Sequence, residues 1–189
     1  MSEETYRAFI ALEIPPDVRD IIWSSAKPVY GMLRSLVKWV PVENMHLTLR
    51  FLGGISLNKS NELRENLRHI SSQFNPIKFK VSEPGVFPSW KEPRILWIGL
   101  DAIEGELNLL QGKIEQIVQM VSLPQEKQKF HPHITVGRVK TPSLFISNSW
   151  KNVKIQQNPL FVVDRVTLFK SILNPSGAVY EVVDVFQFK

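Results

Sequence analysis

His46-Leu47-Thr48-Leu49 and His133-Ile134-Thr135-Val136 are two copies of one four-residue pattern, in a 189-residue chain that holds four histidines. Each copy alternates polar and aliphatic side chains with period two, which is how a strand with one buried face reads. Side chains two apart on a strand share a face. Each copy therefore turns one imidazole and one hydroxyl to one side and two aliphatic groups to the other. With the aliphatic residues in a core, both His/Thr pairs face outward or into a cleft.

Outward from these strands, residues 6–14 are apolar and rich in β-branched and aromatic side chains, a further strand. Pro15-Pro16-Asp17 opens a helix, since a first turn needs no N–H from proline. Val18, Ile21, Ile22 and Ser25 continue it at helical spacing as far as Pro28, where a kink or an end is expected. Residues 37–40 and 46–52 read as strand, the second closed by Gly53-Gly54. Leu63, Leu67 and Ile70 mark a helix over 59–72, and strands follow at 78–86 and 95–100, joined by a loop with Pro88, Trp90 and Pro93. Leu107, Leu110, Ile114 and Ile117 mark a helix over 104–121, and 133–139 is the second motif strand. Thr141-Pro142 opens a short helix towards Trp150, and long strands over 160–169 and 179–188 flank a turn at Asn174-Pro175-Ser176-Gly177. After each motif strand come a helix and then two strands. This order predicts an α+β fold: a two-lobed, pseudo-twofold duplicated unit with antiparallel sheets lining a central cleft and helices packed outside. No low-complexity linker divides the chain, so 1–189 is read as a single two-lobed domain.

The composition, 43% hydrophobic and 22% charged, is that of an ordinary globular protein able to bury one core or two half-size lobes. No apolar run approaches the roughly 20 residues that span a bilayer. Met1-Ser2-Glu3-Glu4 is acidic where a secretory leader would be basic and then apolar. Without cysteine there is no disulfide framework, thiolate nucleophile or thiolate-bound metal. The expectation is a cytoplasmic monomer with no membrane partner. A net charge of +5 leans towards a polyanionic partner, although the charges are interspersed and read equally as a solvated surface.

If both motif strands line one cleft, two imidazoles and two hydroxyls border the same space. Histidine serves as acid or base near neutrality, so two can divide the roles. One takes a proton from water and the other gives a proton to a leaving oxygen. That division suits in-line displacement at phosphorus, with Thr48 and Thr135 donating hydrogen bonds to non-bridging oxygens. The histidines supply the proton transfers, so neither metal nor cofactor is called for. The near-symmetry of the two copies leaves acid and base interchangeable. One protonated and one neutral histidine predict a bell-shaped pH–rate profile.

The paired His-x-Thr-x motifs, with the blocks around them, resemble the two-histidine phosphoesterase superfamily. More narrowly they resemble its RNA 2′,3′-cyclic phosphodiesterases, also called 2′-5′ RNA ligases. The likeness begins with Arg7-Ala8-Phe9-Ile10-Ala11-Leu12, then Trp39-Val40-Pro41 leading into Asn44-Met45-His46-Leu47-Thr48-Leu49-Arg50-Phe51-Leu52-Gly53. Gly85-Val86-Phe87-Pro88 before Leu96-Trp97 and Pro132-His133-Ile134-Thr135-Val136-Gly137-Arg138-Val139 continue it. Leu168-Phe169-Lys170-Ser171 and Gly177-Ala178-Val179-Tyr180 end it. The resemblance implies metal-independent opening of an RNA 2′,3′-cyclic phosphate, or of a cyclic nucleotide, to a 2′-phosphomonoester. It implies His46 as general acid, His133 as general base, and Thr48 and Thr135 as phosphate anchors. It also implies substrate contacts from Phe51 and Arg138, each five positions after its histidine. An odd offset lies on the opposite strand face, so a bulge, twist or strand end must intervene. Gly137 is a place for one, and for Phe51 the strand end at Gly53-Gly54.

His69 reads as a surface histidine. His131 reads as bordering the cleft with Lys129, not as a metal ligand, for no acidic ligand is near. Trp90, Lys91 and Arg94 either pack over a lobe or touch RNA, and Lys38 and Arg50 add positive potential beside the first motif. Competing functions are a nucleotide- or RNA-binding module with little turnover, and ligation by the reverse reaction.

Overall fold

The computed structural model describes residues 4–157, 159–175 and 177–189; Ser176, in the expected C-terminal turn, lies outside the described residues. Among these are four α-helices and nine strands. Strand β1 (Thr5–Glu13) buries five consecutive residues, Ala8 to Leu12, because it has neighbours on both edges and cover on both faces. Helix α1 (Pro16–Leu33) starts where Pro16 allows but runs on through Pro28. Val29 and Leu33 lie beyond the proline and are buried with Val18, Ile22 and Ala26. Burying each contributes about 1.5–3 kcal/mol, which offsets the roughly 3 kcal/mol a mid-helix proline costs.

β2 (Val37–Trp39) and a 3₁₀ turn (Val42–Asn44) lead into β3 (His46–Ser56), which carries the first motif. This strand does not close at Gly53-Gly54. It continues to Ser56, paired with β1 as far as Thr5↔Ser56, and Gly53 supplies a φ of +69° on the way. Helix α2 (Leu57–Ser71) is capped by the Ser56 hydroxyl, which accepts from the Lys59 N–H. β4 (Ile77–Ser89) and β5 (Glu92–Glu104) form a long hairpin paired up to Ser89↔Glu92, so the expected loop through Pro88 and Pro93 is strand to its tip. Helix α3 (Leu107–Met120), the motif strand β6 (His133–Val139) and helix α4 (Leu144–Lys151), capped by Ser143, follow.

The expected strand over 160–169 is two strands, β7 (Leu160–Val163) and β8 (Arg165–Asn174), before β9 (Gly177–Gln187). All join one antiparallel sheet in the order β7-β4-β5-β6-β3-β1-β8-β9, with β2 beside β6. β7 forms one edge and β8 sits next to the other, yet only Asp164 separates them in sequence. Neighbouring Cα atoms are about 3.8 Å apart, so the sheet must curl until its two ends meet there. The result is a half-barrel whose hollow holds the His/Thr face. Among the described residues no helix is long and apolar enough to cross a membrane.

The pseudo-twofold duplication has a form that sequence order conceals. One repeat runs β1-α1-β3-α2-β4 and the other β5-α3-β6-α4, through β7, to β8. In the sheet, β4 leaves its own repeat to pair with β5, and β8 leaves its own to pair with β1. Helices are exchanged likewise: α2 and α3 pack on the lobe of β3, α1 and α4 on the other. Each lobe is therefore assembled from both repeats.

Candidate active site

The two motif strands are adjacent and antiparallel, registered at Leu47↔Ile134. Continued one residue in each direction, that register brings His46 towards Thr135 and Thr48 towards His133. Each histidine thus faces the other motif's threonine across the seam between lobes. Leu47, Leu49, Ile134 and Val136 are buried on the opposite side. The motifs lie on one continuous sheet rather than on separate sheets facing each other.

The odd offset of Phe51 and Arg138 has one cause in both repeats. In β3 the register steps from Ala11↔Thr48 to Ile10↔Arg50, passing over Leu49. In β6 it steps from Trp97↔Thr135 to Leu96↔Gly137, passing over Val136. Each strand carries a bulge at the third residue after its histidine, which moves the fifth onto the histidine's face. The bulge expected near Gly137 is present. For Phe51 the cause is the bulge at Leu49-Arg50, not a strand end at Gly53-Gly54. Gly137 is needed because an added Cβ would lie 2.5 Å from Val37 Cγ1.

That bulge also turns Arg50 away from the cleft. Arg50 is 8% exposed, ion-paired at 2.7 Å with Glu115 of α3, and donates to the Phe51 and Pro124 carbonyls. Its charge is spent beneath the helix, contrary to the expectation that it adds potential at the motif.

Both imidazoles are held in the same way. His46 Nδ1 lies 2.7 Å from the Asn44 carbonyl and His133 Nδ1 2.6 Å from the His131 carbonyl. A carbonyl only accepts, so each Nδ1 carries the proton and each Nε2 is left to exchange one. The Asn44 side chain donates to the Ala178 carbonyl at 2.9 Å, tying the turn that positions His46 to β9. Phe9 stacks on His46 at 4.8 Å, and Tyr180 meets it edge-on at 5.4 Å. Phe87 meets His133 edge-on at 5.0 Å, with Trp97 alongside at 6.0 Å. These walls push both pKa values down: burial lowers His46 to about 4, helped by the positive charges of His133 and Arg138 and opposed by the Asn44 carbonyl. Burial also lowers His133, opposed by the His131 carbonyl. In both cases burial favours the neutral ring.

His46, Thr48, Thr135, Arg138, Phe51 and Tyr180 line a common cleft of about 60 Å³ with Val40 and Asn44, while His133, expected to border the same space, is not among the lining residues and stands beside Phe87 and Trp97. Sequence reasoning gave no role to Tyr180, whose hydroxyl burial holds in its neutral form, or to the two carbonyls. A backbone carbonyl leaves no residue signal, and Tyr180 arrives from a distant strand. His131 borders the site, its ring 4.7 Å from Trp97. His69 is exposed on α2 beside Gln73. Trp90 takes its packing role: its carbonyl accepts from Ser147 at 2.6 Å and Lys151 lies over its ring, while Arg94 pairs with Glu92. Among the described residues no group of three or more His, Asp and Glu is placed to hold a metal ion.

The sequence profile described as LigT like Phosphoesterase matches the chain twice, over residues 12–97 and 98–180. The chain belongs to the LigT-like phosphoesterase family. An RNA 2′,3′-cyclic phosphodiesterase of Aquifex aeolicus is 30% identical to this LigT-like phosphoesterase over 185 residues, 95% of this chain and 96% of that one. One from Archaeoglobus fulgidus is 31% identical over 181 residues, 96% and 99% of the respective chains. A solved structure from Thermus thermophilus superposes with a TM-score of 0.79 at 25% identity, covering 96% of this chain and 97% of that one. Apo LigT from E. coli gives 0.79 at 21% identity over 100% and 99%, a likeness of fold. The two matches each contain one motif strand and divide within β5, a few residues past the β4–β5 turn that separates the structural repeats.

Proposed function

We propose that this LigT-like phosphoesterase hydrolyses RNA 2′,3′-cyclic phosphate ends to 2′-phosphomonoesters, with two imidazoles as acid and base and no metal or cofactor. The observation that carries this reading is the matched pair of histidines, each with Nδ1 on a carbonyl two residues back and each beside the other motif's threonine. The activity named for the full-length relatives supports it. A water oxygen bonds to phosphorus while its proton passes to His133 Nε2. The bond from phosphorus to O3′ breaks, and O3′ takes the proton of His46 Nε2, leaving the phosphate on O2′. Exchange with solvent then returns the proton to His46 and removes it from His133. The family resemblance assigns acid and base, since the local geometry of the two is the same.

Thr48 and Thr135 donate to non-bridging oxygens, and the Arg138 guanidinium holds the phosphate charge. Phe51, 58% exposed at the rim, offers a face for a base to stack on. A cleft of about 60 Å³ suits the phosphate and not the nucleoside, which extends outside it. The reading takes the protein as a cytoplasmic monomer, the absence of cysteine and the site's assembly from one chain being compatible with both.

The test is incubation with an oligoribonucleotide ending in 2′,3′-cyclic phosphate, in EDTA. A 2′-phosphate product is expected, and His46→Ala and His133→Ala should each lose about 10²–10⁴-fold in kcat. Unchanged substrate would sink the enzymatic reading in favour of a binding module. Inhibition by EDTA would overturn the metal-free chemistry.

A further inference from the structure

We propose that the groove beside the catalytic cleft binds the phosphodiester that precedes the RNA end, through Lys38 and Arg7, so that the protein selects oligoribonucleotide ends over free cyclic mononucleotides. The inference rests on the hydrolase reading and names what selects its substrate. The groove, about 470 Å³, is lined by Arg7, Lys38, Trp39, Phe51, Arg138 and Tyr180 among others. That is within the usual range for a small-ligand site. It is continuous with the cleft, for Val40, Phe51, Arg138 and Tyr180 line both spaces.

Its charge is one-sided. Three cations line it and, among the described residues, no carboxylate does. Among the described residues, the ion pairs within 4.0 Å include none of these three cations. Lys38 stands directly opposite Arg138 in the pairing of β2 with β6, on the same face. Like charges opposite one another repel, and no carboxylate of the described residues lies within 4.0 Å of either. An anion between the strands would. Arg7 comes from β1 in the other lobe, so the groove bridges the lobes as the cleft does.

The three cations divide by reach. Arg138 lines the cleft, where the terminal phosphate sits; Lys38 and Arg7 line the groove and not the cleft. Their partner is thus a second phosphate. A cyclic mononucleotide ends in an uncharged 5′-hydroxyl and has none to offer. An oligoribonucleotide carries a phosphodiester on that oxygen, one nucleotide from the reacting end. Cations flanking an aromatic platform are how proteins hold single strands without reading their sequence.

Two arms test this. In the first, kcat/KM is measured for a 2′,3′-cyclic mononucleotide and for a trinucleotide with the same end, on the wild type, Lys38→Gln and Arg7→Gln. The wild type should favour the trinucleotide by about tenfold or more, the value of one charge-assisted contact. Each variant should lose most of that ratio. Equal wild-type values, or a ratio that both variants keep, overturn the inference and leave the hydrolase reading standing. In the second arm, binding of a fluorescent 2′-phosphate-ended trinucleotide is followed against salt. Each substitution should weaken binding and reduce the log–log salt slope by about 0.7, one counterion contact to a single strand. If neither substrate turns over, the hydrolase reading falls, and affinity and slope unaltered by both substitutions overturn the inference independently.

Discussion

His46 and His133 work against their own environment. Burial among Phe9, Tyr180, Phe87 and Trp97 favours neutral rings, whereas the proposed reaction needs one ring charged. A phosphodiester anion in the cleft supplies the missing field and raises both pKa values on binding. kcat/KM reports the free protein, so its optimum should lie below pH 6.5, the ordinary histidine value. The kcat optimum should lie higher, because it reports the complex. A kcat/KM optimum above pH 7 in steady-state profiles would contradict the burial argument. Arg138→Gln removes a positive charge that depresses His46, so the His46 pKa should rise in an NMR titration. The same change should raise KM about tenfold to a hundredfold, the loss of a charged hydrogen bond worth about 1.5–3 kcal/mol. At this scale the sequence was legible where a side chain announces itself. His46 shares a strand face with Thr48, and His133 with Thr135, in any register, and Arg138 and Phe51 came through resemblance. Arg50 was misread because the bulge that faces Phe51 inward sends its neighbour outward, and no residue type declares a bulge at Leu49.

Elements were legible where period or punctuation is strong. The second motif strand was read to its ends, and Ser143 and Ser56 cap helices near the expected starts. Except for the missed break at Asp164 between β7 and β8, the errors have one source: local breakers outvoted by the burial of their neighbours. Pro28 does not stop α1, Gly53-Gly54 does not stop β3, and Pro88 and Pro93 do not open the β4–β5 hairpin. One glycine in that hairpin has a specific task. Trp97 lies across Gly85, so an added Cβ would meet its ring carbons at 2.1 Å, while Trp150 Nε1 donates to the Gly85 carbonyl at 3.0 Å. Gly85→Ala must displace the indole beside His133. It should cost about 1–3 kcal/mol of stability as overpacking. Activity should fall further than Tm implies. Full activity in a variant with unchanged urea midpoint would show that the indole has room to move.

Across the whole molecule, the two lobes share strands, helices and one sheet, so we expect them to unfold together. Urea transitions followed by tryptophan fluorescence and by far-UV circular dichroism should coincide. Stability should depend on pH through His46. Its folded pKa lies below the unfolded value, so the unfolded chain binds the proton first. The contribution is complete above pH 6.5 and is lost as pH falls towards 4. For a shift from 6.5 to about 4 this amounts to about 3 kcal/mol. His46→Gln should flatten that part of the profile in urea titrations at pH 7.5 and 4.5; an unaltered slope would refute a buried neutral ring. The sequence showed the duplication through its twin motifs. It could not show that the last strand of each repeat crosses to the other lobe, because pairing partners are not written in local pattern.

That crossing means neither repeat is a finished object. A chain opened at the β4–β5 tip, between Trp90 and Lys91, would yield two halves, each holding a His/Thr pair and a strand that belongs to its counterpart. Mixed, they should recover one particle with one working seam.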